Sequence, residues 1–293
     1  MPAKRIDGKE TAEFVRNELK SKVEALSSGG KTPGLAVVLV GNNPASEVYV
    51  RSKGKAAEKA GIRSITERYA DDISEEKLLS VIDRLNNDPE WNGILVQLPL
   101  PGHIDEQKVI EAIRPEKDVD CFHPFNVGRL VIGMSVFDPC TPAGIVELLH
   151  RYQIDPAGQH VVILGRSNIV GKPLANLLVQ KAKGANAIVT VAHSRAKDIA
   201  ALTREADILV AAIGVPEFVK KNMVKPGAVV IDVGINRVDA PETEKGYKLV
   251  GDVAFDEVSE IASFITPVPG GVGPMTIALL LKNTVKAFEI QNA

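Results

Sequence analysis

Tyr49 and Lys53 stand four residues apart in the stretch SEVYVRSKGKAAEKAG, residues 46–61. On a helix that spacing puts a phenol and an amine on one face, close enough to act together as acid and base. Asn43 and Pro44 read as an N-cap and a first helical residue, and Gly61 as the stop. Tyr49, Lys53, Ala56, Ala57 and Ala60 form one stripe, whereas Lys55 and Lys59 share another face with Val48 and Ser52. Lys53 is thus directed toward packed surroundings beneath the Tyr49 ring. Most lysines are solvated; this one has a positional reason not to be.

Two further polar groups stand where strands end, which is where parallel sheets place their ligands. Gln97 interrupts the apolar run ILVQLPLP, and Asp118 and Asp120 open the loop after residues 106–113. Each has a plainer reading as well: Gln97 as an amide that bonds loop backbone, Asp120 as a turn former. A Tyr-x-x-x-Lys pair also serves short-chain dehydrogenases, but there it follows the glycine-rich turn inside the nucleotide-binding domain. Here it comes more than a hundred residues before Gly165. The order is wrong for that chemistry.

Gly165 opens a second constellation. The strand HVVILG runs into GRSNIVGKPLANLLVQ, the strand–turn–helix context of a dinucleotide fingerprint. Ser167 and Val170 occupy the second and third glycine positions, and Gly171 follows one place late. The next strand, AIVTVAH, ends in His193, Ser194 and Arg195 with no carboxylate to receive a ribose 2′-hydroxyl. Arg166, Arg195 and a hydroxyl favour a 2′-phosphate, hence NADP over NAD; Arg195 also reads simply as a solvated residue beginning a helix.

These groups need strands and helices to hold them, and the chain alternates both. A continuous apolar run at 34–41, a strand reading of SITERY at 64–69 and a strand ending in prolines at 92–102 are separated by helical patterns at 44–60 and 74–87, and a short helix follows at 106–113. Alternation resumes at 160–165, 187–193, 207–214 and 228–236. Such runs predict strands buried in parallel sheets. Residues 114–144 read as a long loop or a domain crossing. The apolar helix 275–290, after TPVPGGVGP, reads as a return to the first domain.

Composition narrows the partners. With 35 basic against 37 acidic residues there is no field for nucleic acid or anionic lipid. Two cysteines make no disulfide framework and point to a reducing compartment. Five scattered histidines argue against zinc. The start MPAKRIDGKE has no apolar core, and no run approaches the ~20 residues of a membrane span. A cytoplasmic protein is expected.

Several stretches together resemble the bifunctional methylenetetrahydrofolate dehydrogenase/methenyltetrahydrofolate cyclohydrolase family: GLAVVLVGNNPASEVYVRSK, GILVQLPLP, KDVDCFHPFNVGRL, PCTPAGI, GRSNIVGKP, VIDVGIN, GDV and TPVPGGVGPMT. They span almost the whole chain in the family's order. The resemblance implies two α/β domains with parallel sheets and a cleft between them, the second domain Rossmann-like and NADP-binding. The boundaries expected are 1–140 plus 275–293 for the folate-binding domain and 141–274 for the other. It implies oxidation of 5,10-methylenetetrahydrofolate with NADP, hydrolysis of the methenyl product to 10-formyltetrahydrofolate, and a homodimer. By the same resemblance Lys53 is the base, Gln97 orients it, Tyr49 packs against the folate and Asp120 accepts from the pterin edge. Gly165, Arg166, Ser167 and Ser194 would contact the cofactor, with Ile235 near the nicotinamide and Thr276 at a helix start. Pro269, Gly270 and Gly273 would shape the folate cleft. The chain departs from the family at Cys121, commonly Gly, in the longer stretch VQKAKGANAIVT, and in VAHSRAKD, which lacks a threonine often found there.

Overall fold

The structure is a computed structural model that describes residues 2–243 and 246–293. From the amino end, β1 (Lys4–Arg5) and α1 (Gly8–Ser27) lead to β2 (Gly34–Val40), α2 (Pro44–Lys59), β3 (Arg63–Tyr69), α3 (Glu75–Asn87) and β4 (Gly93–Val96). Three helices follow: α4 (Glu106–Ala112), α5 (Pro124–Val131) and α6 (Cys140–Arg151). Then come β5 (His160–Leu164), α7 (Gly171–Leu178), β6 (Ile188–Ala192), α8 (Ile199–Arg204), β7 (Ile208–Ala211) and β8 (Val229–Asp232). The chain closes with β9 (Asn236–Asp239), β10 (Tyr247–Val250), α9 (Phe255–Ser259), β11 (Phe264–Ile265) and α10 (Val272–Gln291).

These elements form two units. One joins Glu13–Cys140 to Ile277–Ala293 and holds a three-stranded parallel sheet, order β3-β2-β4. Its central strand GLAVVLV is buried at every position, as a strand covered on both faces must be. Ala36, Val38 and Val40 pack with Leu78, Ile82 and Leu85 of α3 and with Ile94 and Val96 of β4. Each large side chain so buried contributes about 1.5–3 kcal/mol. β4 is shorter than the apolar run 92–102 suggests. Its last ladder bond is Gln97 N–H to Val38 O at 2.9 Å, and Pro99 and Pro101 beyond it have no N–H to extend the ladder.

The other unit joins the residues up to Ala12 to Thr141–Thr276. Its six-stranded parallel sheet has the order β1-β11-β8-β7-β5-β6. The chain steps from β5 to β6 on one side and then to β7 on the other, so a topological switch point lies between β5 and β7. Leu164 pairs with Ala192 and Ala211, and Ala211 with Asp232, so four strands end in one row. An antiparallel hairpin, β9–β10, lies outside this sheet.

Three expectations from sequence meet a different structure. Residues 2–12 belong with 141–276, not with the rest of 1–140, because β1 pairs Lys4 and Arg5 with Phe264 and Ile265. A two-residue strand has no periodicity to betray it. Residues 114–144 contain α5, capped by His123, whose Nδ1 accepts from Phe125 N–H at 3.0 Å with Pro124 in the first turn. The last helix begins at Val272, three residues early, with Pro274 in the first turn, where no N–H donor is needed.

Candidate active site

Helix α2 is set by its cap: the Asn43 side chain accepts from Ala45 N–H at 2.9 Å and Ser46 N–H at 3.2 Å. Its buried stripe is Ser46, Val50, Lys53 and Ala57, continued by Ala60, a helical run that turns Lys53 inward. Only 7% of Lys53 is exposed, against a half-buried Tyr49 one turn before it. A buried polar nitrogen is costly without hydrogen-bond partners. Lys53 Nζ donates to Gln97 Oε1 at 3.0 Å, and Gln97 Nε2 donates to Leu98 O at 2.8 Å, which fixes which end of the amide faces the lysine. Burial pushes the Tyr49 phenol up, so it stays a neutral donor.

Asp118 and Asp120, alike in sequence, part company here. Asp118 accepts from Phe122 N–H, His123 N–H and Asn126 Nδ2 at 3.2, 2.9 and 2.9 Å, and so shapes the loop. Asp120 lies in the field of Lys53 and within hydrogen-bond reach of the Cys140 thiol. Burial raises its carboxyl above the ordinary range, and the lysine and the thiol pull it back. The Cys140 thiol is itself pushed well up by burial and by Asp120, so it serves as an S–H donor. Cys121 takes a left-handed backbone, φ 61°, the conformation that a glycine in that place adopts without strain. Its Sγ donates to Phe137 O at 3.1 Å.

Two residues missed in the sequence hold this group together. Asn283 of α10 donates from Nδ2 to Val119 O at 2.8 Å and to Asp138 O at 2.9 Å, pinning the backbone beside Asp120 and just before Cys140. Cys140 lies in PCTPAGI, a stretch that marked it without giving it a role, and Asn283 in an apolar helix gave no signal.

In the six-stranded unit Gly165 follows β5 with φ 133°, and a Cβ there would meet Ala212 O at 2.1 Å. A Cβ on Gly171 would meet Gly165 O at 2.2 Å. Gly171, one place late by the fingerprint, therefore does the work of the glycine that lets the helix approach the strand. Ser167 Oγ accepts from Val170 N–H at 3.1 Å and Gly171 N–H at 3.4 Å. Arg166, Ser167, Ser194 and Arg195 are exposed, at the ends of the adjacent strands β5 and β6. No carboxylate follows β6 before Asp198. A tight backbone turn flanked by arginines and hydroxyls fits a dinucleotide carrying an extra phosphate.

The remaining residues also lie in this unit. Ile235, just beyond β8, is 45% exposed, and a Cβ on Gly273 would meet its Cδ1 at 3.3 Å. Pro269 is exposed and follows a cis bond from Val268, and Gly270 has φ 105°. Lys9 N–H donates to Gly270 O at 3.0 Å, and a Cβ on Gly8 would meet Gly271 O at 1.8 Å, so the first residues buttress this loop. Thr276 is not at the helix start. It is the fifth residue of α10, and its hydroxyl shares a hydrogen bond with that of Thr141 at 2.9 Å.

The fold and these groups define an α/β protein with one dinucleotide-binding unit and one unit built around a buried lysine. The catalytic-domain model of tetrahydrofolate dehydrogenase/cyclohydrolase matches residues 6–120, and that family's NAD(P)-binding-domain model matches residues 139–292. The chain belongs to the tetrahydrofolate dehydrogenase/cyclohydrolase family. It is 56% identical to the bifunctional protein FolD of Syntrophobacter fumaroxidans, over 100% of this chain and 99% of that one. Among solved structures it is similar to the bifunctional FolD of Campylobacter jejuni, 49% identical with a TM-score of 0.93 over 99% of both chains. The Trypanosoma brucei enzyme, complexed with NADP cofactor and inhibitor, is 42% identical with a TM-score of 0.95 over 100% of this chain and 99% of that one.

Proposed function

We propose that this protein oxidises 5,10-methylenetetrahydrofolate to 5,10-methenyltetrahydrofolate with NADP and hydrolyses the product to 10-formyltetrahydrofolate. The observation that carries the reading is Lys53: a buried amine bonded to Gln97 and facing Asp120. Bound NADP supplies the hydride acceptor. Gly165 and Gly171 let the backbone close on its pyrophosphate, Arg166, Ser167 and Ser194 meet phosphate and ribose, and Ile235 lies at the nicotinamide end. No proton moves in the oxidation, because the two flanking nitrogens stabilise the cation, so that step asks chiefly for positioning.

Hydrolysis does move protons. Lys53 Nζ takes one from the water that attacks the methenyl carbon, while Gln97 Oε1 fixes its direction. The same nitrogen returns a proton to the ring nitrogen as the C–N bond opens. Asp120 accepts from the amino-pyrimidinone edge of the pterin, and the Tyr49 ring packs against the folate. Pro269, Gly270 and Gly273 line the folate's path.

The test compares wild type with Lys53→Ala on methylenetetrahydrofolate plus NADP, following methenyl absorbance. Cyclohydrolase turnover should fall ~10²–10⁴-fold, the usual worth of a positioned base, while dehydrogenase turnover persists and methenyl accumulates. Equal loss of both activities would remove Lys53 from the hydrolytic role. NADP is read over NAD from the missing carboxylate after β6. The reading extends to a homodimer, supported by the open edge of β6, where Ile188 is 63% and Val191 38% exposed. Both cysteines are free and buried, as suits a reducing cytoplasm.

A further inference from the structure

Two buried carboxylates in the six-stranded unit have so far no role. Asp232 ends β8 and Asp252 follows β10; they are 3% and 0% exposed. Asp232 Oδ1 accepts from Gly234 N–H at 3.0 Å and Asp252 N–H at 2.9 Å, and Oδ2 from Val253 N–H at 3.0 Å. Asp252 Oδ2 accepts from Ile213 N–H at 2.7 Å and Gly214 N–H at 2.9 Å, and Oδ1 from Asn236 Nδ2 at 2.9 Å.

The two segments interlock. A Cβ on Gly251 would stand 1.7 Å from Asp232 Oδ2, and one on Gly234 would stand 2.2 Å from Asp252 Oδ1. Each glycine leaves the space that the other segment's carboxylate fills. This explains why VIDVGIN and GDV carry Asp and Gly in mirrored order. Asp232 holds the backbone of Asp252, and Asp252 in turn holds the turn after β7 and the side chain next to Ile235.

That turn borders the dinucleotide groups, since Ala212 O is the atom that excludes a Cβ at Gly165. With both N–H groups of Ile213 and Gly214 drawn to Asp252, the trans peptides aim the Ala212 and Ile213 carbonyls the opposite way. We infer that Asp252 is a positioning residue for the nicotinamide end of the cofactor, setting Ile213–Gly214 and Asn236 so that the carbonyls of the turn and Ile235 meet the carboxamide-bearing ring. The inference rests on the dinucleotide reading given above.

Hydrolysis of methenyltetrahydrofolate needs no dinucleotide, so one protein contains its own control. In Asp252→Ala the Kd for NADP, measured by calorimetric titration, should rise at least tenfold, with cyclohydrolase kcat within twofold of wild type. Asp252→Asn, which keeps an oxygen for the two N–H groups, should raise Kd about threefold, and it carries the test alone if Asp252→Ala does not fold. The dehydrogenase KM for NADP should follow Kd in both. An unchanged Kd in Asp252→Asn, or a parallel fall of both activities, overturns the inference. Titration needs no turnover: wild type that binds NADP but oxidises no folate would sink the proposed reaction and leave this placement testable.

Discussion

At the level of single residues, the site is a balance between burial and partners. Cys121 shows the backbone side of it. A left-handed L-residue costs roughly 1–2 kcal/mol, which glycine avoids. Glycine gives back part of that through the freedom of its unfolded chain. Cys121→Gly should therefore be more stable than Cys121→Ala by about 0.5–1 kcal/mol in urea denaturation, although alanine is the larger residue; the ordinary order, alanine ahead, would contradict this. Asp232 shows the electrostatic side. Burial, aided by the charge of Asp252, lifts its carboxyl from 3.8 to about 7 against three N–H donors that favour ionisation. The folded state then holds a proton that the unfolded state has lost. Its contribution to stability is complete below about pH 4, is lost as pH rises toward 7, and is gone above. The urea midpoint of wild type should fall over that window with a slope from this group of up to ~1.4 kcal/mol per pH unit. Asp232→Asn should flatten it; an identical slope in the variant would place the titration elsewhere.

Elements explain what could be read in advance and what could not. β2 announces itself as an unbroken apolar run and β5–β8 as mainly apolar ones, and α2 by Asn43, Pro44 and Gly61, so Lys53 could be aimed from sequence. The buried side of α2 departs from the stripe read in the sequence, because Ser46 and Val50 rather than Tyr49 and Ala56 share it with Lys53. Nothing local marks β1 or Asn283, since each is decided by segments far away in the chain. The turn after β5 lies between. Its glycine pattern looks imperfect, yet the structure gives Gly171 the packing place. Gly171→Ala would press a methyl on Gly165 O, an overpacking worth about 1–3 kcal/mol. Thermal unfolding should drop accordingly and NADP binding should weaken; wild-type values in both would mean the turn yields freely.

At the scale of the molecule each unit has its own core, one around β2 and one around β7. The larger sheet has two edges, the two-residue β1 and β6, and the exposed Ile188 and Val191 of β6 are unusual for an edge meant to face water. The homodimer proposed above should fall to monomer in Ile188→Lys, read by sedimentation, with Lys53-dependent hydrolysis left in place. Sedimentation that is unchanged would take the dimer away from this edge.

Asn283 has a consequence in time. The carbonyls it pins belong to Val119 and Asp138, the first of them 164 residues earlier in the chain. A ribosome adding ~5–20 residues per second makes the loop on the order of 10–30 s before the amide that fixes it. The backbone beside Asp120 thus waits for α10 before Asn283 can hold it, however early the strands of this unit pair. A nascent chain carries the lysine, the glutamine and both aspartates long before that amide arrives.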